Sequence, residues 1–159
     1  MKTLIIFLFT LVTSFSFANN HIIVKQNGEK IEANYVATRD NVVYYTVKGS
    51  SVEQEISVFA IEKIVDKSTN ESLLSNSKID LSGKSGFKNV VVLDANQSKG
   101  LKVAEEFSAN IQKIKGQSYS SWVQSAENRI KKSAAAKGYA YIQIVQQDNS
   151  KIKAVAYTY

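Results

Sequence analysis

Apolar and polar positions alternate along short segments between His21 and about Asp66, the period of half-buried β-strands. Residues that favour turns separate these segments, at Asn27-Gly28, Arg39-Asp40-Asn41 and Lys48-Gly49-Ser50-Ser51. Ser57 is expected to start a short helical turn before a last strand at residues 61–65. Five short strands at this spacing predict a small antiparallel β-barrel over residues 19–66.

The alternation stops between residues 67 and 87, where Ser, Asn, Gly and Lys dominate. This composition is typical of a linker. The short run GKSG at residues 83–86 lacks the spacing and the following helix of a phosphate-binding loop, so it is interpreted as part of the linker. Four apolar residues are expected to hold the linker against one of the domains: Leu73, Leu74, Ile79 and Leu81.

A second pattern covers residues 88–159. Residues 89–95 form a short apolar run that predicts a buried strand, and residues 103–114 alternate as a second strand. Apolar residues then recur at a helical period, in the stripe Tyr119, Val123, Ala126, Ile130 and Ala134. Two alternating strands follow, joined by Asp148-Asn149-Ser150. The segment is therefore predicted as a β-β-α-β-β domain, an antiparallel sheet with one helix on one face, which makes the whole chain α+β.

The helix ends carry recognisable signals. Ser118, Ser120 or Ser121 can cap its start, because a serine hydroxyl accepts a hydrogen bond from a free amide of the first turn. Gly138 stands where a left-handed residue ends a helix. Three lysines near this end suit the negative end of the helix dipole, namely Lys131, Lys132 and Lys137.

The first 18 residues have the features of a secretory signal peptide: Lys2, an apolar run from Leu4, and small residues before Ala18. We expect cleavage near Ala18 and export to the periplasm or the medium, with no transmembrane segment. The alternative is a retained N-terminal anchor. Without cysteine, a lipid-modified or disulfide-bonded mature protein is excluded. The net charge of +6 favours anionic partners in general, although export argues against nucleic acid.

The composition also restricts the chemistry. The absence of cysteine excludes a cysteine nucleophile and a cysteine-rich zinc site. A serine–histidine pair would have to use the single histidine, His21, which is interpreted as a strand residue. Glu105 and Glu106 are adjacent, so on a strand they point to opposite faces and cannot act as a local carboxylate pair. We therefore predict no catalytic residue, no metal site and no cofactor, with a hydrolase as a distant alternative.

Tyrosines and lysines of the last two strands are the remaining candidates. Alternation places Tyr139 and Tyr141 on one face of their strand. It also places Lys151, Lys153, Tyr157 and Tyr159 on one face of the closing strand. An open sheet face with aromatic rings and positive charge could bind an oligosaccharide or another chain. It could also act as a platform for single-stranded nucleic acid, where bases stack on aromatic rings beside positive charge. The candidate binding residues are Tyr139, Tyr141, Lys151, Lys153, Tyr157 and Tyr159. The alternative is that the first domain, the linker or another copy covers these tyrosines.

Two resemblances add to this interpretation. The strand and turn pattern of "KQNGEKIEANYV", "NVVYYTV" and "EISVFAIEKIVD" resembles small SH3-like or Sm-like barrel modules of exported bacterial proteins. The C-terminal half is similar to small exported domains of the YdgH/BhsA/McbA type, and also to YbjQ-like domains. The matching residues are Ile130, Ala134, Gly138, Tyr139, Tyr141, Ile142, Ala154 or Ala156, and Tyr157 or Tyr159. Tyr139 departs from the pattern, which has Ala after the glycine.

The resemblance of the C-terminal half implies a periplasmic or secreted protein linked to stress, to the envelope or to surface behaviour. We therefore expect a non-enzymatic interaction module that contacts a partner protein through the sheet face or the strand edges, with a homo-oligomer as one form of this. The alternative is a binding protein for an anionic polymer such as polysaccharide.

Overall fold

The computed structural model describes residues 20–82 and 85–159, so the predicted signal peptide lies outside the described residues. Within those two ranges the chain forms ten β-strands in two sheets and one α-helix. The predicted α+β class is therefore confirmed. No helix in the described part of the chain has the length and apolar character that crossing a membrane requires.

The first sheet contains six antiparallel strands in the order β4-β3-β2-β1-β5-β6. Its core contains Ile23, Val43, Ile56 and Ile64. No strand of the described residues pairs with the outer side of β4 or β6, so this sheet is open and the predicted barrel is not confirmed. The strands are β1 (His21–Lys25), β2 (Lys30–Arg39), β3 (Val42–Val47), β4 (Gln54–Ser57), β5 (Ile61–Asp66) and β6 (Ser72–Ser75).

The local signals in this half act as the sequence predicts. Asp40 and Asn41 both have positive φ, of 50° and 60°, which suits the tight turn between β2 and β3. Ser57 caps a 3-10 turn at Val58–Ala60, and its side chain accepts a hydrogen bond from the Phe59 amide at 3.2 Å. That turn leads directly into β5, as expected.

Strand β6 lies inside the segment that the sequence predicts as a linker, residues 67–87. It pairs with β5, and Leu74 packs on the core of the first sheet. Ile79 and Leu81 pack at the junction with the second half. The expectation that apolar residues hold this segment in place is thus met for these three side chains, whereas Leu73 is exposed.

The second sheet has the order β7-β9-β10-β8. Its elements are β7 (Val91–Val92), β8 (Lys102–Asn110), α1 (Tyr119–Ala136), β9 (Tyr141–Gln147) and β10 (Lys151–Thr158). Their chain order is the predicted β-β-α-β-β. The prediction of a wholly antiparallel sheet is wrong, because β7 pairs with β9 in parallel. Strand β7 is also shorter than predicted, since 3-10 turns at Gly86–Asn89 and Ala95–Ser98 occupy its flanks.

Helix α1 packs on one face of this sheet. Ala126, Ile130 and Ala134 are buried against Ile142 and Ile152, which confirms the core of the predicted stripe. Tyr119, at its start, is exposed. Among the three candidate serines, Ser118 is the cap, and its hydroxyl accepts the Ser121 amide at 3.3 Å. Gly138, with φ of 80°, follows the helix.

The segment between β7 and β8 connects the two sheets. The Ser57 amide donates to the Lys99 carbonyl at 2.8 Å, and Gln97 Nε2 donates to the Asp40 carbonyl at 3.3 Å. Lys99 also forms an ion pair with Glu55. Because backbone and side-chain bonds both cross this boundary, the two halves are in direct contact. The division into domains at residues 67–87 remains a prediction.

Candidate functional site

The structure separates Tyr139 from the other tyrosines. Tyr139 precedes β9 and packs with the helix-side core, where its ring contacts the Phe107 ring at a centroid distance of 6.2 Å. Tyr141 lies in the apolar cluster on the other side of the sheet. The prediction that Tyr139 and Tyr141 share a strand face is therefore wrong, because regular alternation starts only at Tyr141, after the turn that ends the helix.

The structure brings Tyr141, Tyr157 and Tyr159 together. The hydroxyls of Tyr141 and Tyr159 are hydrogen-bonded at 2.9 Å, and the Tyr157 hydroxyl donates to Gln143 Oε1 at 2.8 Å. Tyr141 is only 3% exposed and Tyr157 9%. Phe59 of the first half covers Tyr141, with ring centroids 5.5 Å apart. These rings thus form the junction between the sheets and not an open stacking platform.

The hydroxyl of Tyr141 is held in its neutral form. Burial raises its pKa far above the ordinary value, and the hydrogen bond with Tyr159 adds to the shift. A buried phenol resists ionisation because its anion would lose hydration. Tyr141 therefore offers a neutral hydroxyl and a ring, and it is not a candidate base near neutral pH.

A cleft of about 270 Å³ opens beside this junction. Side chains from both halves and from the predicted linker form its walls. None of its described lining residues carries a charge; they are Gln26, Val58, Phe59, Ser75, Asn76, Ser77, Ile79 and Tyr141. Binding sites for small molecules favour such boundaries between structural units, with mostly apolar walls and a few polar groups.

Two amide side chains beside the cleft are oriented by the protein. Gln26 Nε2 donates to the carbonyls of Ile61 and Asn76, at 3.2 and 3.1 Å. Asn76 Nδ2 donates to the carbonyls of Val58 and Ile61, at 3.0 and 3.2 Å. Backbone carbonyls therefore accept hydrogen bonds from both NH2 groups. The side-chain oxygen of each amide points away from those carbonyls. Within the described residues no donor pairs with either oxygen.

Strand β8 is the longer edge of the second sheet, and among the described residues it pairs only with β10. The Ile111 amide donates to the Ser150 carbonyl at 2.6 Å, which identifies a hydrogen-bonded pair just beyond the strand. Pairs alternate in an antiparallel ladder. Glu106, Ser108 and Asn110 therefore direct their backbone N–H and C=O groups away from β10. Consistent with this, the Asn110 carbonyl accepts a hydrogen bond from Arg129.

Lys151 and Lys153 lie at the far end of the same sheet from the tyrosine cluster. Lys153 is exposed and Lys151 half-buried, opposite Ser108 and Asn110 of β8 respectively. In the described part of the chain neither lysine forms an ion pair. The predicted set is thus divided into a buried aromatic group and an accessible basic group.

The groups that acid–base or metal chemistry would need are dispersed. His21 Nδ1 accepts the Tyr35 amide at 3.3 Å, and its Nε2 lies 3.7 Å from Asp66 Oδ2. Glu105 and Glu106 face opposite sides of β8, as their pairing with Ala156 and Val155 requires. Residues 20–82 and 85–159 contain no cluster of three or more His, Asp or Glu side chains suited to a metal ion.

Several residues of the cleft carry no functional signal in the sequence. Gln26 follows the first strand, Phe59 lies in a one-turn helix and Asn76 lies in the predicted linker. Each has an ordinary local role, and only the pairing of β1 with β5 and of β5 with β6 brings them together.

Comparison of the chain with protein-family models, with curated proteins and with solved structures gave no match.

Proposed function

We propose that the protein is exported and acts by binding and not by catalysis, as an envelope, surface or stress-associated interaction module. The signal-peptide pattern of residues 1–18 and the resemblance to small exported domains support export. The outer edge of β8, which no other described strand pairs with, supports binding. An exposed edge of this kind can accept an extended segment of another protein as an additional strand.

The geometry of β8 defines this contact. Glu106 and Ser108 each offer an outward N–H donor and C=O acceptor, the pattern that an added antiparallel strand requires. Asn110 offers its N–H, since Arg129 already occupies its carbonyl. Charged side chains protect many edge strands from adventitious pairing, and here Glu106 provides such protection. The partner is therefore expected to be an extended polypeptide that tolerates or complements one carboxylate.

A photo-reactive residue at position 108, introduced into the full-length protein in producing cells, tests the contact. One dominant adduct with another polypeptide is expected. A second substitution, Glu106→Pro, should reduce this adduct about fivefold or more, because it removes an outward N–H and sterically blocks the added strand. Proline is tolerated there since the lost N–H faces solvent.

The control is Glu106→Ala, which removes the same charge and retains the amide. It should leave the adduct near its original level. Equal losses with Pro and Ala would assign the contact to the side chain, and an equal adduct from a probe at the exposed helix position Ser133 would contradict a contact at the edge. Circular dichroism of the purified variants confirms that both remain folded.

A second candidate function is binding of an anionic polymer. The basic charge is concentrated in residues 88–159, which contain 11 Lys and Arg against 5 Asp and Glu, a net charge of +6; residues 19–66 contain 5 against 7, a net charge of −2. The loop before α1 adds Lys113 and Lys115, and it begins beside Lys151, because the Ile111 amide donates to the Ser150 carbonyl. None of these four lysines forms an ion pair with a described residue.

Replacement of Lys151 and Lys153 by Gln should weaken retention on immobilised alginate. The slope of log affinity against log salt concentration should become less steep, since a protein with two fewer positive charges displaces fewer counterions from the polymer. Replacement of Lys30 and Lys48 by Gln is the control, as it removes the same charge from the first half. If both double variants lose retention equally, the binding depends on net charge and has no defined site.

A further inference from the structure

The cleft contains two amide oxygens that accept no hydrogen bond from a described residue. Gln26 is 6% exposed, and buried polar side chains are almost always hydrogen-bonded at each atom that can bond. Its NH2 group is fully used, yet its oxygen has no donor within the described residues. Asn76 repeats this arrangement beside it. Two amide oxygens at the cleft therefore lack a donor among the described residues, although Ser75, Ser77 and Tyr141 add hydroxyl groups to its walls.

From this we infer that the cleft binds a small neutral molecule, or a chemical group, in which a planar apolar body bears an NH2 donor. A primary carboxamide on a ring is the simplest example. Its two N–H bonds suit the oxygens of Gln26 and Asn76, and its ring suits the walls formed by Phe59 and Tyr141.

The walls of the cleft carry no charge among the described residues, which favours a neutral ligand over an ionic one. None of the described lining residues is charged, so a carboxylate would find no counter-charge on the walls of the cleft and would oppose the two oxygens. A cation would approach Lys78, whose ammonium group already lies 5.6 Å from the centre of the Tyr159 ring. Tyr159 in turn contacts Tyr141. Burial of an unpaired charge is costly, so the neutral form is preferred.

The volume limits the size of the ligand. About 270 Å³ is slightly below the usual range for drug-sized ligands, roughly 300–1,000 Å³. The space therefore suits a single ring with one substituent. A ligand of this size is expected to bind with a Kd of about a millimolar.

Benzamide is the probe, titrated into the full-length protein and followed by amide chemical shifts. We expect saturable changes confined to the neighbourhood of Gln26, Phe59, Asn76 and Tyr141. Benzoate and benzylamine, which have the same ring and carry opposite charges, should bind about tenfold or more weakly. Equal binding of the three compounds would overturn the assignment, as would no saturation at 20 times the expected Kd, about 20 mM.

The variant Ser77→Leu places an apolar side chain at the exposed rim of the cleft and should abolish the benzamide shifts. Ser133→Leu makes the same change on an exposed turn of α1 and should leave them intact. Persistence of the shifts in Ser77→Leu would place the ligand elsewhere. Both positions are exposed, so unfolding is not expected, and the amide spectrum of each variant reports its fold directly.

Discussion

Replacing Ile130 by Ala is expected to lower the free energy of unfolding by about 2–5 kcal/mol. Ile130 is 2% exposed and packs from α1 onto Ile142 and Ile152 of the second sheet. Removal of its three terminal carbons leaves a cavity, because Ala126 and Ala134 on either side are too small to fill the space. Urea unfolding of the full-length protein, followed by circular dichroism, measures the difference.

Ile114→Ala is the matched control. The same atoms are deleted, but Ile114 lies before the helix and is 45% exposed, so the cost should be within about 0.5 kcal/mol. Similar costs for the two variants would mean that Ile130 is not part of a close-packed interior. That outcome would also remove the basis for the packing of α1 on the sheet.

Replacing Gly100 by Ala should be about as damaging, for a different reason. Gly100 has φ of 82°, a conformation that costs other residues roughly 1–2 kcal/mol. A Cβ atom there would lie 2.7 Å from Ile56 Cγ1 and 3.5 Å from Ala60 Cβ. Ile56 is buried in the first core, so relief of this overlap should cost about 1–3 kcal/mol more.

Gly116→Ala separates the two contributions. Gly116 has the same φ of 82°, but an added Cβ would have no neighbour within 4 Å. Gly116→Ala should therefore cost only the free energy of placing alanine at positive φ. The additional loss of stability in Gly100→Ala measures the overlap of the new Cβ atom with Ile56. Equal losses in thermal unfolding would show that the contact between residue 100 and Ile56 is not tight.

The features that the sequence predicted correctly depend on nearby residues. Ser57 caps a helical turn, as predicted, through a bond to an amide two positions away. Ser118, one of three candidate serines, caps α1 through a bond to an amide three positions away. The stripe at Ala126, Ile130 and Ala134 depends only on helical periodicity. Such interactions are complete within a few residues, so a single sequence is enough to recognise them.

The features that it missed depend on distant strands. Whether the first sheet closes is decided by the relation of β4 to β6, and nothing local in either strand fixes it. Strand β6 looked like linker because Ser72 and Ser75 flank its two leucines, and only pairing with β5 makes it a strand. The parallel position of β7 likewise depends on β9, beyond the helix.

The candidate site follows the same rule. Alternation along β10 correctly grouped Tyr157 with Tyr159, since both lie in the junction cluster. The cover over Tyr141 comes from Phe59, which no pattern near residue 141 could reveal. Alternation along a strand thus indicates which side chains lie on the same face. Contacts with distant residues decide whether those side chains are exposed to solvent.

The order of strands in the second sheet also constrains how the chain reaches its native state. In the described part of the chain the one strand that pairs with β8 is β10, and all of α1 and β9 must be synthesised before β10 exists. Contacts between distant segments form slowly, since a long loop must first close. During that interval both edges of β8 are unpaired. The charged side chains of Lys102, Glu105 and Glu106 then oppose its pairing with β8 of another molecule. The charges of this strand are therefore expected to influence the yield of folded protein more than its final stability.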